Sequence, residues 1–131
     1  MALAGYSGVG RTLRGNAQGE LMEHVIRIDA SRIRDWGTFH SVFQNALGFP
    51  GYYGRNMDAW IDCLTYADDA QAGMVATPVP RGKVLTLLIE DAGRFRNRCP
   101  EQYDALIEGS AAVNNRRIEQ GEPAVLVLAM S

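Results

Sequence analysis

Lys83–Glu90 reads KVLTLLIE, and Ala124–Met130 reads AVLVLAM. Both runs are almost continuously apolar, and each is too short for a typical helix. Such runs are expected of strands in a parallel sheet, where helices cover both faces. Upstream, His24–Asp29 (HVIRID) offers a third, shorter strand through Val25, Ile26 and Ile28, whose branched side chains favour extended backbone. The segments between these strands have helical spacing. Asp35 is placed to cap a helix reaching Leu47, with Trp36, Phe39, Val42, Phe43, Ala46 and Leu47 on its apolar side and Gly48 and Pro50 as its stop. A second helix is expected from about Asn56 to Tyr66. Ala92–Arg98 is read as one helical turn with Phe95 inward. Pro100 suits the start of a long helix to about Gln120, with Tyr103, Leu106, Ile107 and Val113 toward the core and Gly121 at its end. The order β-α-α-β-(α)-α-β predicts an α/β fold: a three-stranded parallel sheet, joined by right-handed crossovers, packed with three to four helices.

The chain has 131 residues, enough for one domain that buries roughly two thirds of its unfolded surface. Apolar residues are 47% and charged residues 21%, which argues against wholesale disorder. Thirteen Lys and Arg against fifteen Asp and Glu leave a charge of −2, which excludes a generally basic nucleic-acid binder. No apolar run is long enough to span a membrane. Residues 1–22 hold five of the fourteen glycines and no sustained period, so they are read as a flexible leader ahead of one domain at 23–131. Gly5–Thr12 (GYSGVGRT) approaches a phosphate-loop pattern, but Arg11 stands where that motif has Lys and no strand precedes it. The leader lacks a secretory apolar core, and Cys63 and Cys99 are too few for a disulfide scaffold, so a cytoplasmic setting is expected.

Gly48–Tyr66 reads GFPGYYGRNMDAWIDCLTY. A solvated linker has no need of Phe49, Tyr52 and Tyr53. Tyrosines give broad contact area with a polar tip, and the glycines allow close turns. Asn56 can cap the following helix, whose apolar stripe is Met57, Trp60, Ile61 and Leu64. Asp58 and Asp62 lie one turn apart beside that stripe. The helix dipole favours Asp58, but Asp62 sits mid-helix and gains little, so it calls for a partner beyond its own helix. Residues 55–69 carry Asp58, Asp62, Asp68 and Asp69 against Arg55, a local charge of −3. Such a patch can guide encounter within a Debye length of about 8–10 Å.

The string Tyr-Tyr-Gly-x-Asn-x-Asp-Ala-x-x-Asp-Cys-Leu-Thr at Tyr52–Thr65 resembles the barstar family, intracellular inhibitors of the ribonuclease barnase. The likeness extends over about residues 24–131; the leader and the 67–82 loop are additions. It implies a barstar-like fold and a proteinaceous inhibitor, of the immunity or antitoxin type, whose loop and helix occlude a nuclease cleft. It further implies a partner-binding set of Tyr52, Tyr53, Gly54, Asn56, Asp58, Ala59, Ile61, Asp62 and Thr65, with Asp58 and Asp62 as central acids. The physics agrees, since a ribonuclease cleft is cationic in order to bind phosphate, and two carboxylates can stand in for it. Barnase and barstar are the reference case for steered association of this kind. Three positions depart from the family pattern. Ile61 stands for a tryptophan next to the second acid, Ala67 for a tryptophan after the helix, and Arg116 for an acid on the last helix, with Glu119 the nearest carboxylate.

The expected partner is thus a basic nuclease, with no direct nucleic-acid contact, no membrane and no cofactor; oligomeric state is left open. The alternative is a protein-interaction module on the same scaffold that regulates a non-nuclease partner. His24 and His40 are isolated and no zinc-type spacing occurs, so no metal is expected. Cys63, mid-helix, reads as a buried structural thiol, and Arg94, Arg96 and Arg98 as a solvated cluster. Catalysis by Asp58 and Asp62 would also need a pocket and an electrophilic stabiliser, neither of which is legible, so no enzyme is expected.

Overall fold

A computed structural model describes residues 24–131. The leader and its phosphate-loop-like stretch lie outside the described residues. Strands β1 (Val25–Asp29), β2 (Leu85–Glu90) and β3 (Leu126–Met130) form one parallel sheet in the order β1-β2-β3. Arg27, Leu88 and Ala129 share one rung across it. Four helices complete the fold: α1 (Trp36–Leu47), α2 (Met57–Thr65), α3 (Ala92–Arg98) and α4 (Pro100–Glu119). The predicted α/β class, strand number and parallel sense hold.

Local chemistry explains the helix ends. The Asp35 carboxylate accepts from the Thr38 backbone N–H at 2.8 Å, and the Thr38 hydroxyl oxygen accepts from the Asp35 N–H at 3.0 Å, a reciprocal cap for α1. Gly48 ends α1 at φ 65, in the left-handed region glycine tolerates. Pro100 opens α4 and Gly121, at φ 81, follows its end.

Two expectations about burial need correction. The sheet is not covered on both faces. Ile28, Leu85, Leu87, Ile89 and Leu126 are buried on one face, where α1 meets β1 and α4 meets β3. On the other face Thr86 and Leu88 are half-buried, Val127 is 47% exposed, and Arg27 reaches Glu90 at 2.8 Å. The apolar continuity of KVLTLLIE thus reflects a central strand with one dry face and one half-dry face. Ile107 is exposed. The buried stripe of α4 runs Gln102, Leu106, Gly109, Ser110, Val113 and Arg117. Ile107 follows Leu106 by one residue, about 100° around the helix and off that stripe.

The 67–82 segment folds back as part of the core. It contains a 3-10 turn at Ala70–Ala72 and buries Val75 and Val79. The Ala76 N–H donates to the Leu47 carbonyl at 2.9 Å, and the Val79 N–H to the Ala67 carbonyl at 3.0 Å. Beneath it Asp68 and Arg117 form a buried ion pair at 2.6 and 2.9 Å, and Arg117 also donates to the carbonyls of Thr65 and Pro123. The Arg117 guanidinium holds the Asp68 carboxyl below the usual carboxylate range. Where α2 crosses α4, Gly109 lets the helices approach closely: a Cβ there would lie 2.8 Å from the Met57 methyl and 3.1 Å from the Trp60 ring.

Candidate functional site

The loop ahead of α2 divides its tyrosines. Tyr52 is 75% exposed, whereas Tyr53 is buried. The Tyr53 ring lies 4.8 Å from Phe49, and its hydroxyl meets His40 Nδ1 at 2.5 Å inside the protein. Burial pulls the His40 pKa down to about 4 and pushes the Tyr53 phenol up. Alternation of adjacent side chains makes Tyr53 an anchor and Tyr52 the displayed ring. Tyr53 was expected in the contact set; its side chain is instead turned into the interior.

Arg55 was not singled out from sequence, yet it pins the loop. It adopts φ 54, a left-handed conformation rare for any residue that carries a Cβ. Its guanidinium donates to Gln44 Oε1 at 3.1 Å, the Gly37 carbonyl at 2.9 Å and Ser41 Oγ at 3.0 Å, all on α1. An arginine in a glycine-rich turn has no one-dimensional signature for this role. Asn56 caps α2 as expected, its Oδ1 accepting from the Ala59 N–H at 2.8 Å. Gly54 is exposed, and a Cβ there would make only ordinary 3.4 Å contacts, so the fold itself does not require glycine.

On α2, Trp60 is fully buried against Phe43, while Ala59 and Ile61 are half-buried at the edge of the core. Asp58 is exposed, with no ion pair among the described residues. Asp62 has a partner on the protein itself: its Oδ1 lies 2.5 Å from Arg116 Nη1 of α4, with the two side chains 57% and 41% exposed. Thr65, expected in the contact set, is buried, and its hydroxyl donates to the Ile61 carbonyl at 2.7 Å. A helical Thr near its C-terminus often satisfies its hydroxyl on the preceding turn in this way.

The acidic patch is weaker than its composition. Asp68 is buried against Arg117, Asp69 accepts from the N–H groups of Gln71 and Ala72, and Asp62 is shared with Arg116. Asp58 is left as the unshared carboxylate of α2. Other side chains also settle into structural roles. Burial pushes the Cys63 thiol up to about 11, which keeps it un-ionised near neutral pH. Arg98 is not merely solvated. It donates to the carbonyls of Ile33 and Ala30 at 3.0 and 2.7 Å and ties α3 to the end of β1. Among the described residues no group of three His, Cys, Asp or Glu side chains could hold a metal, and no helix is long and apolar enough to cross a membrane.

Three parallel strands, four helices and an exposed acidic helix behind a pinned tyrosine loop define a class of small α/β domain. The family described as Barstar (barnase inhibitor) matches residues 23–129, and the chain belongs to that family. A protein of Bacillus subtilis (strain 168) named "Putative ribonuclease inhibitor YrdF" is 45% identical over 40 residues, or 30% of this chain and 44% of that protein. The chain thus spans less than half the length of that relative.

Proposed function

We propose that the chain inhibits a ribonuclease, in the manner of an immunity protein or antitoxin, by seating the exposed face of α2 in a cationic active-site cleft. The carrying observation is the placement of Asp58 and Asp62 one turn apart on an exposed helix, beside Tyr52 on a loop that Arg55 clamps to α1. Family membership and the name of the Bacillus relative support the ribonuclease as the target. The contact surface in this reading is Tyr52, Gly54, Asn56, Asp58, Ala59, Ile61 and Asp62, with Tyr53 and Thr65 holding it from behind. Carboxylates at this spacing replace the phosphates that the cleft binds, and preorganisation by Arg55 and the Asn56 cap lowers the entropy lost on docking. The chain is an inhibitor in this account rather than an enzyme, it needs no cofactor, and its place of action is the cytoplasm.

Mixing the chain with an equimolar amount of its cognate nuclease is expected to abolish RNA cleavage. Asp62→Ala should weaken inhibition by more than about 2 kcal/mol, the magnitude common to interface hot spots. Unchanged inhibition by both Asp58→Ala and Asp62→Ala would remove α2 from the interface. The Asp62–Arg116 pair favours one competing reading, because it half-neutralises the surface: a module of the same scaffold that regulates a partner other than a nuclease. Affinity capture from the native cell separates the two. Recovery of a basic nuclease supports inhibition, and recovery of a different protein supports the module.

A further inference from the structure

We infer that the outer edge of β3 joins two copies of this chain: they pair antiparallel through Leu128 and Met130, about a twofold axis at Ala129, and their sheets become one.

Backbone direction sets which groups of β3 are open. The Leu85 N–H donates to the Val125 carbonyl at 2.8 Å, and the Ser131 N–H to the Ile89 carbonyl at 2.9 Å. Successive residues of a strand turn their N–H and C=O to opposite sides. Val125, Val127, Ala129 and Ser131 therefore face β2, while Leu126, Leu128 and Met130 face away. Leu126 is already satisfied: Asn114 of α4 accepts from its N–H at 3.0 Å and donates to its carbonyl at 2.9 Å. Among the described residues nothing does the same for Leu128 or Met130. The edge is held extended beside them, because the Ser131 carbonyl also accepts from the Ala92 N–H at 2.9 Å.

The side chains leave that edge unguarded. Sheet edges are commonly blunted by charge or proline. The opposite edge strand, β1, carries Arg27 and Asp29 at its exposed positions, whereas β3 exposes Val127 and Met130. Ile107, also exposed, lies two turns before Asn114 on the same side of α4. Arg116, which holds Asp62 of α2, stands about 200° around α4 from Asn114, so the α2 face points away from this edge and stays open in the pair.

A second copy fits because the open groups complement themselves. An axis at Ala129 sets Leu128 opposite Met130 of the other copy, and each such pair exchanges two hydrogen bonds, which uses every open group of both edges. At the axis Ala129 meets its own copy in the closer, non-hydrogen-bonded kind of pair, about 4.5 Å between Cα atoms, where a small side chain avoids a clash. An axis at Leu128 would set Met130 against Leu126, whose groups Asn114 has filled.

Sedimentation equilibrium of the full chain over about 1–100 µM should show a dimer at the upper end. Ala129→Lys sets two ammonium groups against each other across the axis, and Met130→Pro removes an outward N–H that the single chain does not use. Each is expected to raise the dissociation constant at least about tenfold, with Arg27→Ala on the other edge staying within about threefold of the wild type. Amide exchange reads the edge directly: Leu128 and Met130 should slow as concentration rises, while Val127 and Ala129, already bonded to β2, should change little. Circular dichroism identifies a variant that has not folded, and the other then decides. A chain that stays monomeric at the highest concentration overturns the inference, as does a folded Ala129→Lys or Met130→Pro chain that dimerises as tightly as the wild type. Slow exchange at Leu128 and Met130 in a monomer, whatever the concentration, assigns the edge to another segment of the same chain and also overturns it.

Discussion

Tyr53 and His40 meet inside the protein at 2.5 Å, and burial makes the histidine hard to protonate there, with a pKa of about 4. In the unfolded chain a histidine titrates near 6.5. A depressed histidine pKa means that folding favours the neutral ring. Its contribution is complete above about pH 6.5 and is lost as pH falls from there toward 4, up to about 3 kcal/mol in all. Urea denaturation across that range should show stability falling, and His40→Gln should flatten the slope; an identical slope in the variant would assign the loss elsewhere. Arg55 carries a different stake. Its left-handed backbone costs about 1–2 kcal/mol, which its three hydrogen bonds to α1 offset. Arg55→Ala should speed amide exchange through Gly51–Gly54 and weaken inhibition, while Arg55→Gly should unfold at a higher temperature than Arg55→Ala because it relieves the backbone.

At the scale of elements, the fold depends on joints that few residues make. Gly48 ends α1 in the left-handed region, and a Cβ at that position would collide with the Ala76 Cβ of the returning loop. Gly48→Ala is therefore expected to cost about 1–3 kcal/mol. Ala76→Gly should recover the contact part of that loss and leave the backbone part, which thermal unfolding of the single and double variants can resolve. The Asp68–Arg117 pair clips the same loop to α4 from beneath. Arg117→Met strands the buried Asp68 carboxylate and should destabilise by about 3–5 kcal/mol, whereas adding Asp68→Leu should recover much of it. A double variant no better than Arg117→Met would mean that hydrogen bonds to Thr65 and Pro123, rather than the charge pair, hold the joint.

For the whole molecule, a net charge of −2 and an α2 surface with one shared acid predict weak steering. The association rate with a nuclease should change less than about tenfold between roughly 0.05 and 0.5 M salt in stopped-flow mixing, and a steeper fall would show that more carboxylates are free than the pairing allows. Much of this architecture was legible in the order of residues. Strand runs, the Asp35 and Asn56 caps and the Gly48 and Gly121 stops are local signals, read from composition and period within a few positions. The motif at Tyr52–Thr65 likewise marked the segment that folds as the clamped loop and α2. What one dimension could not supply was the partner of each side chain. Tyr53 and Tyr52 look alike in sequence until His40 takes one of them. Asp62 and Asp68 look equally free until Arg116 and Arg117, adjacent on one helix, claim one at the surface and one in the interior. Secondary structure follows from short-range sterics and hydrogen bonding, so neighbours in the chain determine it. Charge neutralisation and burial follow from which distant segments are packed together, and those contacts exist only once α2, α4 and the 67–82 loop have met.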